Sequence, residues 1–194
     1  MPRKPRQLTD DGVYHLISRG NNYAQILSVE GGFERFMEIL RQARTRYGIR
    51  LHHYCLMPNH VHLLATVPKG DDLPKIMRFI LWQYSMWHKW QTSYVGHLWQ
   101  SPYKSPLIQN DTYLLECGRY IERNPVRANL CQQPEDYRWS SYRYYTFGEY
   151  DPMVDPDPCY ENFGASPPDR QKNYRDFAAL PPSPVPGTYQ VPVL

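Results

Sequence analysis

Cysteine is sparse in this chain. Cys55, Cys117, Cys131 and Cys159 stand far apart and form no CxxC pair, which argues against a zinc knuckle. They read as buried or incidental thiols in a reducing cytosol, so a cytoplasmic location is expected. Long apolar runs are also missing. The densest stretch, residues 76–90, is broken by Arg78, Gln83, His88 and Lys89. It falls short of the ~18 uncharged residues a membrane span needs, so no membrane partner is expected. The N-terminal MPRKPRQLTD is basic but no apolar h-region follows it, so no signal peptide is expected. There is no internal repeat, and the net charge of +3 is too small to name a partner by itself.

What is present is uneven. The chain has 194 residues, enough for one domain with extensions or at most two small domains, and 41% hydrophobic content, enough for a core. Residues 151–194 hold ten of the 19 prolines, with three basic and six acidic side chains. The remaining 19 basic and 13 acidic residues give the body, residues 1–150, a net charge of +6. Two parts are therefore expected. Residues 1–150 form the functional domain. Residues 151–194 form a proline-rich tail that buries little apolar surface, apart from a short helix over 169–179 between Pro167-Pro168 and Pro181. A basic body with 14% aromatics suits a nucleic-acid partner.

Periodicity gives the order of elements. Residues 13–19 (VYHLISR) alternate as a strand that ends at Gly20-Asn21-Asn22. Phe33, Phe36, Met37, Leu40, Ala43 and Tyr47 recur at helical spacing, predicting a helix over 29–47 that stops at Gly48. Strands are predicted over 49–57 and 60–67, turned by Met57-Pro58-Asn59. A helix over 73–90 carries two apolar faces. Leu73, Ile76, Met77, Ile80, Leu81 and Tyr84 make one, and Phe79, Trp82, Met86 and Trp90 the other. A short strand is predicted over 105–109. Asn110-Asp111 then caps a third helix, which Pro125 ends. The resulting β-α-β-β-α-β order with a following helix is an α+β, ferredoxin-like split βαβ on a central antiparallel sheet, plus a C-terminal helix that bears a tyrosine.

Two local patterns carry chemistry. In His60-Val61-His62-Leu63-Leu64-Ala65-Thr66-Val67, alternation puts His60 and His62 on one open face of the sheet. Val61, Leu63, Ala65 and Val67 point to the other, helix-covered face. Two neutral imidazoles on one face can chelate a cation, although a bare HxH is more often two solvated histidines. In the third helix Tyr120 and Asn124 lie four apart, one turn along the same face. Tyr113 has Cys117 as its i+4 neighbour, a poor ligand for a hard cation. Tyr120 is thus the better nucleophile candidate, and the Asn124 amide oxygen a candidate third ligand. Asn before Pro also has an ordinary reading as a helix stop. A free phenol has a pKa of ~10, so some group must take its proton; metal, water, Arg123 or Arg127 could assist.

Several stretches together resemble one family. LMPNHVHLL (56–64) resembles the His-hydrophobic-His (HUH) signature of single-tyrosine insertion-sequence transposases. RYIERNPVRANL (119–130) resembles their tyrosine helix, above all in the REP-associated branch. HLISRGN (15–21), LWQSPYKS (98–105) and WSSY (139–142) match further. The resemblance spans about residues 13–147. It departs at Ser101-Pro102, where the branch usually has Gly-Arg, and at Asn129, which replaces a usual glycine but tolerates a left-handed cap. The resemblance implies nicking and strand transfer on single-stranded DNA with a hairpin. Tyr120 would form a 5′-phosphotyrosine, and His60, His62 and Asn124 would hold a divalent metal, Mg or Mn. Arg19, Asn21, Lys104 and Arg127, with Arg3, Lys4 and Arg6, would contact DNA. Trp99 and Trp139 are read either as core residues or as platforms for unpaired bases. The resemblance leaves homodimer and monomer both open. Rival readings are a non-cleaving DNA or RNA hairpin binder with a vestigial HUH pair, and a metal-dependent hydrolase without a covalent step.

Overall fold

The computed structural model describes residues 6–180, the Ser101 side chain excepted. Arg3, Lys4 and Pro181 therefore lie outside the described residues. The elements that frame the sheet are β1 (Gly12–Gly20), α1 (Gly32–Tyr47), β2 (Arg50–Met57), β3 (His60–Val67), α2 (Leu73–Thr92) and β4 (Trp99–Lys104). After them come α3 (Asp111–Glu122), α4 (Asn124–Arg127), α5 (Tyr142–Phe147) and α6 (Pro167–Ala179). The strands lie in the order β2-β3-β1-β4 and every pair is antiparallel. This is the split-βαβ arrangement expected. Among the described residues no helix is long and apolar enough to cross a membrane.

The sheet is covered on both faces. On one, Leu16, Val61, Leu63, Ala65 and Val67 meet Phe36, Ile39, Leu40 and Ala43 of α1 and Ile76, Met77, Ile80 and Tyr84 of α2. On the other, Cys55, Met57 and Leu64 meet Leu114, Cys117, Tyr120 and Ile121 of α3. Helix ends follow the local sequence. Asn110 Oδ1 accepts from Tyr113 N at 2.8 Å and caps α3, while Gly48, at φ 67°, ends α1. The second face of α2 stays partly in solvent, with Trp82, Met86 and Trp90 exposed.

Three expectations change. The fourth strand is Trp99–Lys104, not 105–109. The latter segment makes only a bridge from Leu107 to Tyr14, with Ile108 N donating to Val13 O. A register shift in β1 between Ile17 and Arg19 moves the pairing toward Trp99. Pro125 does not end the helical run; it sits in the first turn of α4, where its missing N–H is not needed. Asn129 then takes φ 53°, the left-handed cap anticipated for it.

The third change concerns the tail. Its described part is packed onto the body. Met153, Val154, Tyr174 and Ala178 join the main core. Tyr160, Phe163, Tyr174 and Phe177 form an aromatic cluster, joined by Tyr145 of α5. Arg44 pairs with Asp155 at 2.7 Å. Averaged composition hid this, because half of the tail's prolines lie beyond Leu180 while both of its phenylalanines and most of its other apolar side chains lie before it. The short helix appears as α6, capped by Ser166, whose Oγ accepts from Asp169 N.

Candidate active site

His60 and His62 project from β3 toward α3, as their alternation requires. The face is not open, however. α3 closes over it and both imidazoles are buried, His62 completely. Their ring centroids lie 4.9 Å apart and nearly perpendicular. Burial, helped by the charge of Arg19, lowers the pKa of His60 to about 3. Burial first, then His60, His15, Arg19 and Arg127, drives His62 well below its ordinary value. Both rings are therefore neutral at physiological pH, the form in which imidazole offers a lone pair.

The hydrogen bonds say where those lone pairs point. His60 Nδ1 donates to Asn59 Oδ1 at 2.5 Å, which leaves Nε2 as the unprotonated nitrogen. His62 Nδ1 lies 2.9 Å from Nε2 of His15, a buried histidine of β1. The Nε2 atoms of His60 and His62 are buried and have no hydrogen-bond partner. Such atoms are costly to leave unmatched, and a bound ion or water would satisfy them.

Tyr120 reaches this group from α3. Its ring centroid is 5.8 Å from His62 and 6.1 Å from His15, edge-on to both. The Arg127 guanidinium lies over the Tyr120 ring, 4.8 Å from its centroid. Asn124 is buried just beyond, and its Nδ2 donates to Tyr120 O at 2.8 Å and Ile121 O at 3.3 Å. The amide nitrogen carries out the helix-end role, and the amide oxygen takes no part in it. Among the described residues no group of three His, Cys, Asp or Glu side chains is arranged to hold a metal. His15 stands as a hydrogen-bond partner of His62.

The IS200-like transposase family model matches residues 9–124, more than half of the chain and the whole stretch from the start of the sheet to Asn124. This chain belongs to the IS200-like transposase family. A candidate REP-associated tyrosine transposase of Haemophilus influenzae is 25% identical over 122 residues, covering 54% of this chain and 69% of that protein. In fold, the chain is similar to a solved REP-associated tyrosine transposase bound to a REP hairpin. The TM-score is 0.67 at 20% identity, covering 81% of this chain and 93% of that one.

Around the histidines of this transposase-family chain the cations converge. Arg19 pairs with His60 in register, and its charge helps lower the pKa of both His60 and Lys104. Burial is the larger cause for Lys104. Asn21 opens the turn after β1 and its N–H donates to Leu98 O at 2.9 Å. Arg6 lies 4.0 Å over the Tyr103 ring. Arg123, considered beside Tyr120 as an aid to its ionisation, instead donates to Ala178 O at 2.6 Å. Trp99 is partly buried and packs against the core: its Nε1 donates to Leu81 O at 3.0 Å and its ring meets Phe36 and Tyr84. Trp139 is half-buried and stacks on Phe33 at 5.1 Å. Tyr113 buries its hydroxyl without a partner, next to Cys117.

Sequence reading missed the pairing role of His15. Its own signal was weak, a histidine in an alternating strand; only the β1–β3 register brings it to His62.

Proposed function

We propose that this chain nicks and rejoins single-stranded DNA beside a hairpin, with Tyr120 as nucleophile and a divalent metal held by His60, His62 and Asn124. One observation carries the reading. Tyr120 packs edge-on against His62, where two neutral imidazoles bury unpartnered Nε2 atoms. That donor set fits a divalent cation: two imidazole nitrogens and an amide oxygen leave positions for a phosphate oxygen and water. Bound there, Mg or Mn would act as a Lewis acid toward a non-bridging oxygen of the scissile phosphate.

The chain's own groups do the rest. Asn59 holds His60 in the tautomer with a bare Nε2. His15 Nε2 faces His62 Nδ1; with the proton of that contact on His62 Nδ1, His62 Nε2 is left bare as well. The Tyr120 oxygen attacks phosphorus in line as its phenolic proton passes to water. An O–P bond to the tyrosine forms, the bond to the upstream 3′ oxygen breaks, and that oxygen leaves as a 3′-hydroxyl after taking a proton. The 5′-phosphotyrosine conserves the phosphodiester bond energy, so a second 3′-hydroxyl can reverse the step and join a new strand. Arg19, Lys104 and Arg127 line the approach with positive charge and Asn21 supplies an amide at its edge. A hairpin is the expected recognition element because the solved relative of the same fold is bound to one.

The test is incubation of a hairpin-bearing single-stranded oligonucleotide with the protein and manganese, followed by denaturing electrophoresis. A protein–DNA adduct is expected, absent in Tyr120→Phe. Cleavage that survives Tyr120→Phe would point to a hydrolase. Tight binding without cleavage would point to a hairpin binder.

A further inference from the structure

A second buried ionisable cluster lies behind α3. His53 of β2 is fully buried, with Nδ1 2.9 Å from Glu122 Oε1 and Nε2 3.0 Å from Asp157 Oδ2. Carboxylate oxygens accept, so the ring satisfies both by donating from both nitrogens. Glu122 is saturated further: Oε1 accepts from Ser141 Oγ at 2.7 Å and Oε2 from the Tyr174 hydroxyl at 2.8 Å. Asp157 Oδ1 accepts from Cys159 N at 2.7 Å. Glu122 belongs to α3, two residues past Tyr120. Asp157 and Tyr174 come from the segment beyond residue 124, where the family match stops.

A separate set of contacts ties the same helix to the same segment. Arg119 Nη1 donates to Phe177 O at 3.2 Å and Leu180 O at 3.4 Å, and its guanidinium lies 4.6 Å over the Phe177 ring. Arg123 Nη1 donates to Ala178 O. These carbonyls lie at the C-terminal end of α6, where the helix leaves acceptors unmatched and favours positive charge. In sequence, Tyr120 stands between the two arginines. A buried ion cluster adds less stability than apolar packing of the same volume, so its use here is better explained by the geometry it imposes.

We propose that residues 151–180 are a positioning element for the tyrosine helix. Asp157 and Tyr174 fix His53 and Glu122, the end of α6 receives Arg119 and Arg123, and Tyr120 is thereby held in register with His60 and His62. The proposal rests on Tyr120 being the nucleophile for its consequence in catalysis, but not for its geometry.

The experiment uses the full chain with 3-fluorotyrosine at position 120, read by 19F NMR, in the unaltered protein and in Tyr174→Phe, Asp157→Asn and a control, Tyr150→Phe. Tyr174→Phe keeps the ring and removes one hydroxyl, so it should fold even if Asp157→Asn does not. The fluorine line should shift or split in Tyr174→Phe and in folded Asp157→Asn, and stay put in the exposed-site control. Single-turnover adduct formation on hairpin DNA should slow by about tenfold or more at unchanged DNA affinity, since small misplacements of a reacting group cost rate rather than binding. An unchanged fluorine line in Tyr174→Phe, with only a lower unfolding midpoint, overturns the proposal. A wild-type protein that forms no adduct would sink the nuclease reading alone; the fluorine line would still decide the positioning claim.

Discussion

Gly118 brings α3 close against His53 of the sheet, and the substitution Gly118→Ala tests that approach. A Cβ built there would lie 2.8 Å from Cε1 and Nε2 of His53 and 3.0 Å from Cδ2. That is about 0.7 Å inside the ~3.5 Å at which carbon atoms attract. The imidazole has nowhere to retreat. Glu122 and Asp157 hold its two nitrogens, and Tyr145 stacks on the ring with centroids 4.4 Å apart. Two effects then compete. Replacing glycine by alanine inside a helix gains about 1 kcal/mol in propensity. Overpacking a core that cannot relax costs about 1–3 kcal/mol. With the ring pinned, the cost should sit toward the upper end. The expected net is a destabilisation of about 1–2 kcal/mol. Urea unfolding followed by circular dichroism and by fluorescence measures it, with an unchanged m-value required for the comparison. Because the helix rather than the ring must move, Tyr120 should move with it and the rate of adduct formation should fall. A Gly118→Ala protein stabilised by about 1 kcal/mol, the propensity gain alone, would refute the close packing and with it the idea that His53 is rigid.

Three further outcomes follow from the same geometry. Burial alone would lower the pKa of His53, but the charge of Glu122 and hydrogen bonds to Asp157 and Glu122 outweigh it and raise the value to about 9. The cluster's contribution should be fully present below the free imidazole value of ~6.5 and fade as pH rises through about 9. Urea midpoints from pH 6 to 10 should fall over that window in the wild type, and a flat profile would contradict it. His15→Leu removes the partner of His62 Nδ1 and should weaken manganese binding by about 10–100-fold, read by electron paramagnetic resonance titration; unchanged affinity would assign His15 a packing role only. Arg127→Gln should weaken hairpin-DNA binding and reduce the slope of log Kd against log salt by about 0.7, whereas an unchanged slope would remove Arg127 from the phosphate contacts.

What the sequence disclosed divides by distance along the chain. The HxH pair was readable because strand alternation is a two-residue rule, and the Tyr120–Asn124 pair because a helical turn is a four-residue rule. The order of elements needed only such local patterns. The position of β4 failed because pairing depends on an irregularity in its partner, between Ile17 and Arg19, that nothing in residues 99–109 records. The face bearing His60 and His62 read as open because no local rule says which helix will cover it. Likewise, His53 meets Glu122 across 69 residues and Asp157 across 104. Asp157 was counted among the acidic residues of a tail, where average composition concealed a specific buried partner.

The placement of the site follows from this two-sided burial. The main core fills one face of the sheet and could fold without regard to chemistry. The other face carries a smaller apolar group, Cys55, Met57, Leu64, Leu114, Cys117 and Ile121, in which Tyr120 is embedded beside the histidines. That dry setting is what keeps His60 and His62 neutral and their lone pairs available. It also limits the apolar surface by which a helix of 12 residues can hold itself in place. Polar ties to β2 and to the segment after residue 150 make up the difference. The burial of the two histidines and the external grip on the helix are therefore two consequences of placing Tyr120 under cover. Variants that loosen the grip should change rate before they change fold.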